Sequence, residues 1–250
     1  MHDPAKLLPA ALARQSRFVR LGPSQIPALL IHPDWSTPAP SVIWMHGRTV
    51  TKELDNGRYL RWIRAGIAAC AIDLPGHGER LNPDFHRPDQ LAALLDAAIP
   101  EVDQVVAALA DPALGGVFDL TRLAIGGMSA GGMVTLSRLA KPHPFVAAAV
   151  ESTAGDPGTV ATWRPVPLLA LHSEADRLAP VSGMRAFTSA LATHYAAVGA
   201  DPSLVEFVTW PTTGAPDEHS GFGRVANEAK TRQVEFLTRI LRPTPPSSDI

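Results

Sequence analysis

Residues 126–132 read Gly-Gly-Met-Ser-Ala-Gly-Gly, and this stretch leaves the chain few ways to fold. A β-branched, apolar run, LTRLAIGGM over 120–128, leads into it, and an amphipathic run, AGGMVTLSRLAK over 130–141, leads out. A strand that becomes a helix with no linker between them needs a sharp turn at Ser129, where side chains at 127 and 131 would collide with backbone. Such a turn lifts the Ser129 hydroxyl above the end of the strand. The helix that follows aims its free N–H groups and positive dipole end at the same place. Ser129 is therefore the candidate nucleophile. A phosphate-cradling reading fails, because the spacing G-x-x-x-x-G-K-[ST] is not met and its lysine is missing.

The same strand-then-helix step recurs along the chain. SVIWMHG (41–47) precedes the helical DNGRYLRWIRAG (55–66), and IAACAIDL (67–74) precedes helical material through residue 110. FVAAAVES (145–152) and PLLALHS (167–173) follow, then the helical run 181–199, the strand VEFVTW (205–210) and a closing helical run over 222–241. Alternation of this kind predicts an α/β fold: a mostly parallel, twisted sheet of about eight strands with helices on both faces. Near-continuous apolar strands such as AACAI agree, since parallel strands are buried on both sides. SRFVRL and IPALLIHP, joined by the turn-like GPSQ, predict a leading antiparallel hairpin. In open α/β sheets ligands bind beyond the carboxyl ends of the strands, so the functional residues are expected just after each strand.

Composition narrows the partners. With 22 basic and 24 acidic residues the net charge is -2, which gives no electrostatic reason to expect nucleic acid or an anionic membrane. A hydrophobic fraction of 46% in 250 residues supplies a core for a single domain over 1–242, with a Pro- and Ser-rich tail, 243–250, read as disordered. No run approaches a membrane span and the N-terminus lacks a secretory pattern, so a cytoplasmic monomer or small homo-oligomer is expected. The single cysteine, Cys70, lies in an apolar run and reads as a small buried hydrophobe. No cofactor and no metal are expected.

MHGR, DLPGHGER, GMSAGG and LHSEADRLAP, as they stand here, make the chain resemble the α/β-hydrolase superfamily along nearly its whole length. It looks most similar to small single-domain esterases and dienelactone-hydrolase-like members. The resemblance implies the α/β-hydrolase fold, a small-molecule ester substrate and the chain order nucleophile, acid, histidine. On that order Asp176, directly after PLLALHS, is the expected acid, with Glu151 and Asp156 as fallbacks from the preceding strand and Glu174 close by. His219, in the loop PDEHSGFG before the last helix, is the expected base. The backbone N–H of Ala130 is one expected oxyanion donor, and the His-Gly-x turn of the family points to the N–H of Arg48 as the second. Dienelactone hydrolases proper carry a cysteine at the elbow and dehalogenases an aspartate, so Ser129 argues against both.

The Arg48 side chain has two readings: pairing with a substrate carboxylate, or lying along the surface bonded to Glu53 or Asp55, the commoner fate of an arginine. Only TAGDPGTVATWRPV separates the strands at 145–152 and 167–173, which leaves no room for a helical lid there. The longer excursion 79–110 has room to fold as a small helical cover. A cleft with limited cover suits short acyl groups. Acyl-peptidase, thioesterase and lactonase share the chemistry, and a catalytically silent ligand receptor on the same scaffold is the reading from a different class.

Overall fold

The computed structural model describes residues 8–242; the expected tail at 243–250 lies outside the described residues. Eight strands form one sheet: β1 (Ser16–Leu21), β2 (Ile26–Ile31), β3 (Ala39–Met45), β4 (Ala68–Ile72), β5 (Phe118–Met128), β6 (Ala147–Glu151), β7 (Leu168–Ser173) and β8 (Val205–Trp210), in the order β1-β2-β4-β3-β5-β6-β7-β8. β1 and β2 pair antiparallel, as the hairpin reading expects, and β2 also runs antiparallel to β4. From β4 through β8 every pairing is parallel. β3 starts inside the proline-rich linker, at Ala39, and Pro40 is accommodated where the register to β5 shifts between Pro40 and Ser41.

The strand residues alternate between two packed layers. Val42, Trp44, Ala69 and Ala71 join one cluster; Ile43, Met45, Cys70 and Ile72 join the other. On the first side lie α1 (Ala10–Ala13), α2 (Asn56–Arg64) and α6 (Ala226–Leu241), which supply Leu12, Tyr59, Trp62, Phe236 and Leu237. On the second lie α3 (Leu91–Leu109), α4 (Ala130–Leu139) and α5 (Val181–Ala197). Cys70 is buried, and burial pushes its thiol well above the usual range. Among the described residues no helix is long and apolar enough to cross a membrane.

The segment 79–110 divides into two parts. Short turns at Gly78–Arg80, Pro83–His86 and Pro88–Gln90 run over the surface, and α3 then buries Leu94, Ala98, Val102, Val105 and Leu109 against the sheet. Spacings of three and four residues put these five side chains on one helical stripe, so α3 is a layer of the core rather than a cover. Only Leu91, at its first turn, reaches the cleft described below.

Candidate active site

Ser129 stands between β5 and α4 with φ 53° and ψ -117°, a region that side-chain-bearing residues seldom occupy. The surroundings enforce it. A Cβ on Gly127 would sit 2.4 Å from the Gly131 carbonyl carbon, and one on Gly131 would sit 2.2 Å from the Met45 oxygen. β3, β5 and α4 are thus in backbone contact. The Ser129 N–H donates to the Glu151 carbonyl at 2.9 Å, and its own carbonyl accepts from Thr153 Oγ1 and the Met133 N–H, each at 2.9 Å. A trans peptide points N–H opposite to C=O, so fixing the Ser129 carbonyl also turns the Ala130 N–H the other way. As the first residue of α4, Ala130 has an N–H that its own helix cannot satisfy.

The turn after β3 is fixed by the same principle. His46 accepts from the Leu74 N–H at Nε2 (3.0 Å) and donates from Nδ1 to the Gly47 carbonyl (2.6 Å). Burial pushes this imidazole down to about 4, so it stays neutral. With the Gly47 carbonyl held by His46, the Arg48 N–H is turned away from that ring. Farther along the loop, Lys52 is fully buried between Asp73 (2.8 Å), Glu79 (2.7 Å) and Glu53 (2.9 Å). It ties the loops after β3 and β4 together, a connection that no spacing in the sequence announces.

His219 reaches the serine from the loop after β8. Its Nε2 lies 2.9 Å from Ser129 Oγ, and its Nδ1 lies 2.8 and 3.0 Å from the two Asp176 oxygens. A carboxylate only accepts, so Nδ1 carries the proton and Nε2 offers its lone pair to the Ser129 hydroxyl. The loop is clamped by the neighbouring Glu218, whose carboxylate accepts from Ser173 Oγ, from the backbone N–H and hydroxyl of Thr213, and from the Gly214 N–H. Those donors hold Glu218 down to about 2.

Asp176 is 7% exposed. Burial pushes its carboxyl up, but bonds from His172 and His219 and from the Ala179 N–H outweigh this and hold it well below the usual carboxylate range. His172 is the partner that sequence reading missed. Its Nε2 donates to the Ala179 carbonyl at 2.8 Å and lies 3.3 Å from Asp176 Oδ2, the same oxygen that His219 Nδ1 approaches at 2.8 Å.

The other carboxylates are engaged elsewhere. Glu151 is gripped by Arg58 Nη1 and Nη2, both at 2.7 Å. Asp156 is exposed and caps the turn at Gly158. Glu174 bonds Thr209 and Arg185 on the surface. Ser129, Ala130, Arg48 and His219 line one cleft of about 490 Å³, within the usual range for small-ligand sites. The residues between β6 and β7 beyond Glu151 do not line it; there Trp163 packs edge-on against Phe187 of α5.

The sequence matches the model of the alpha/beta hydrolase family over residues 9–245. Esterase YjfP of Escherichia coli (strain K12) is 32% identical over 126 residues, 49% of each chain, so this chain matches about half the length of that curated relative. Among solved structures, a Thermus thermophilus protein is similar at a TM-score of 0.72 and 20% identity, over 92% of this chain and 98% of that one. An esterase of Pyrococcus furiosus gives 0.70 and 17%, over 97% of both chains. The acylaminoacyl peptidase of Pyrococcus horikoshii gives 0.71 and 17%, over 94% of this chain and 43% of its own. At these identities the solved structures establish a common fold.

Proposed function

Because the chain belongs to the alpha/beta hydrolase family, we propose that it is a serine hydrolase that cleaves small carboxylic esters through an acyl-enzyme. The observation that carries the reading is the hydrogen-bonded line from Ser129 Oγ through His219 to buried Asp176, at 2.9 and 2.8 Å. In this reading His219 Nε2 takes the hydroxyl proton as Ser129 Oγ attacks the ester carbonyl. Asp176 keeps the imidazole in the correct tautomer and stabilises it once charged. The N–H groups of Ala130 and Arg48 stabilise the oxyanion. Collapse of the intermediate expels the alcohol, which takes the proton from His219. Water, deprotonated by the same histidine, then attacks the acyl group and restores Ser129.

The cleft volume and the absence of the β6–β7 segment from its wall support short acyl chains over long ones. A panel of p-nitrophenyl esters from acetate to palmitate, with thioesters, lactones and aminoacyl amides alongside, tests both chemistry and length. Ser129→Ala is expected to lower kcat by about 10⁶-fold and to abolish labelling by a fluorophosphonate probe. Absence of labelling in the wild type would move the chain to the non-catalytic receptor class, and a preference for palmitate would overturn the short-chain reading.

A further inference from the structure

Arg48 stands on the cleft wall beside Ser129, and neither Glu53 nor Asp55, the acids of its own loop, pairs with it. Glu53 accepts from Thr51 Oγ1 at 2.6 Å and lies 2.9 Å from Lys52 Nζ. Asp55 accepts from Trp44 Nε1 at 2.9 Å and lies 3.5 Å from Arg58 Nε. The Arg48 guanidinium is left with a buried Nη1 that has no hydrogen-bond partner among the described residues. A buried N–H without a partner carries the desolvation cost of that donor, even on an arginine that is otherwise partly exposed. A ligand that supplied the missing acceptor would recover it.

The rest of the wall specifies that ligand. Its charged side chains are three cations, Arg48, Arg58 and Lys230, against two carboxylates, Asp55 and Glu151. The Arg58 charge is closed off by its two-pronged grip on Glu151, and Asp55 offsets one of the two remaining cations, so the wall keeps one net positive charge, carried by Arg48 and Lys230. Leu54, Leu91, Met133 and Leu178 give the same cleft an apolar stretch. A planar guanidinium is matched best by a carboxylate, bound through two parallel N–H···O bonds. We propose that Arg48 is the specificity-determining anchor for a carboxylate carried by the ester, so that the preferred substrates are small esters with a free carboxylate on a short apolar spacer. The proposal rests on the serine-hydrolase reading for what happens after binding, and on Arg48 alone for which ester binds.

The test uses matched pairs: monomethyl adipate against methyl hexanoate for a carboxylate on the acyl side, and 3-carboxyphenyl acetate against phenyl acetate for one on the alcohol side. The quantity read is the ratio of kcat/KM, charged over neutral, within each pair. In the wild type one pair is expected to give a ratio above about ten, falling by about tenfold or more in Arg48→Gln and less in Arg48→Lys. A ratio at or below one in both pairs, or one that Arg48→Gln leaves unchanged, overturns the proposal. If neutral esters are then still cleaved by the wild type and spared by Ser129→Ala, the serine-hydrolase reading stands without it. Where no turnover is seen, calorimetric titration of Ser129→Ala with monomethyl adipate decides. Binding at least about tenfold weaker in Ser129→Ala/Arg48→Gln supports the anchor, and equal or absent binding in both removes it.

Discussion

Two carboxylates are buried at the ends of adjacent strands, Glu151 closing β6 and Asp176 just beyond β7, exposed by 2% and 7%. Sequence position treats them almost alike. Their partners do not. Glu151 meets Arg58, a permanent cation held charged against the cost of its burial by Asp55 and Glu151, with Gln233 beside both. Asp176 meets two imidazoles, His219 and His172, whose ring nitrogens, unlike those of a guanidinium, can either donate or accept a hydrogen bond. An acid locked to a guanidinium fixes architecture, here the packing of α2 and α6 over the sheet. An acid facing an imidazole can take part in moving a proton.

The largest effect that tests this contrast is on rate. Asp176→Asn is expected to lower kcat by about 10⁴-fold with the far-ultraviolet circular dichroism unchanged, because the asparagine amide favours the wrong histidine tautomer. Next comes stability. Glu151→Gln leaves the Arg58 charge buried and under-compensated, so urea unfolding should show a loss of about 3–5 kcal/mol, while kcat per folded molecule falls far less than in Asp176→Asn. The double change Arg58→Met with Glu151→Leu should recover most of that loss, since an apolar pair removes the charge requirement altogether. Turnover abolished in Glu151→Gln with stability intact would exchange the two roles.

The smallest effect is on pH dependence. The Asp176 carboxyl is depressed in the folded state, so the stability it contributes is fully present above the unfolded carboxylate value, about 4, and is lost as pH falls through the depressed folded value. The urea midpoint of the wild type relative to Asp176→Asn should therefore stay level from neutrality to about pH 4 and narrow below it. A gap that widens on acidification would mean that Asp176 is not held as an anion by its histidines.

The contrast also separates what could be read from the chain alone from what could not. The strand-turn-helix at Ser129, the alternation that builds the sheet and the leading hairpin are local patterns in which each residue's environment is set by its sequence neighbours, and the structure has them where the patterns lie. The fallback acid Glu151 stayed open because its fate depends on Arg58, 93 residues earlier in the chain, and charge pairing across that distance leaves no spacing to read. Lys52 among Asp73, Glu79 and Glu53 is hidden for the same reason. Arg48 reversed the usual expectation for an arginine: the two acids expected to hold it on the surface bond Thr51, Lys52, Trp44 and Arg58 instead. The segment 79–110 offered space for a cover, but its apolar stripe at helical spacing found the sheet first.

The crowding around Ser129 has a consequence for how such a chain can change over generations. Gly127 and Gly131 meet backbone atoms at distances no side chain can occupy, so the elbow has almost no neutral mutational neighbourhood. Leu54 and Leu178, on the rim of the same cleft, are 59% and 64% exposed and can be exchanged with little structural penalty. Under the proposed function, divergence in this molecule is therefore channelled: Ser129 stays fixed while the rim drifts, and new substrates would be reached by changing what surrounds a serine that cannot itself be moved.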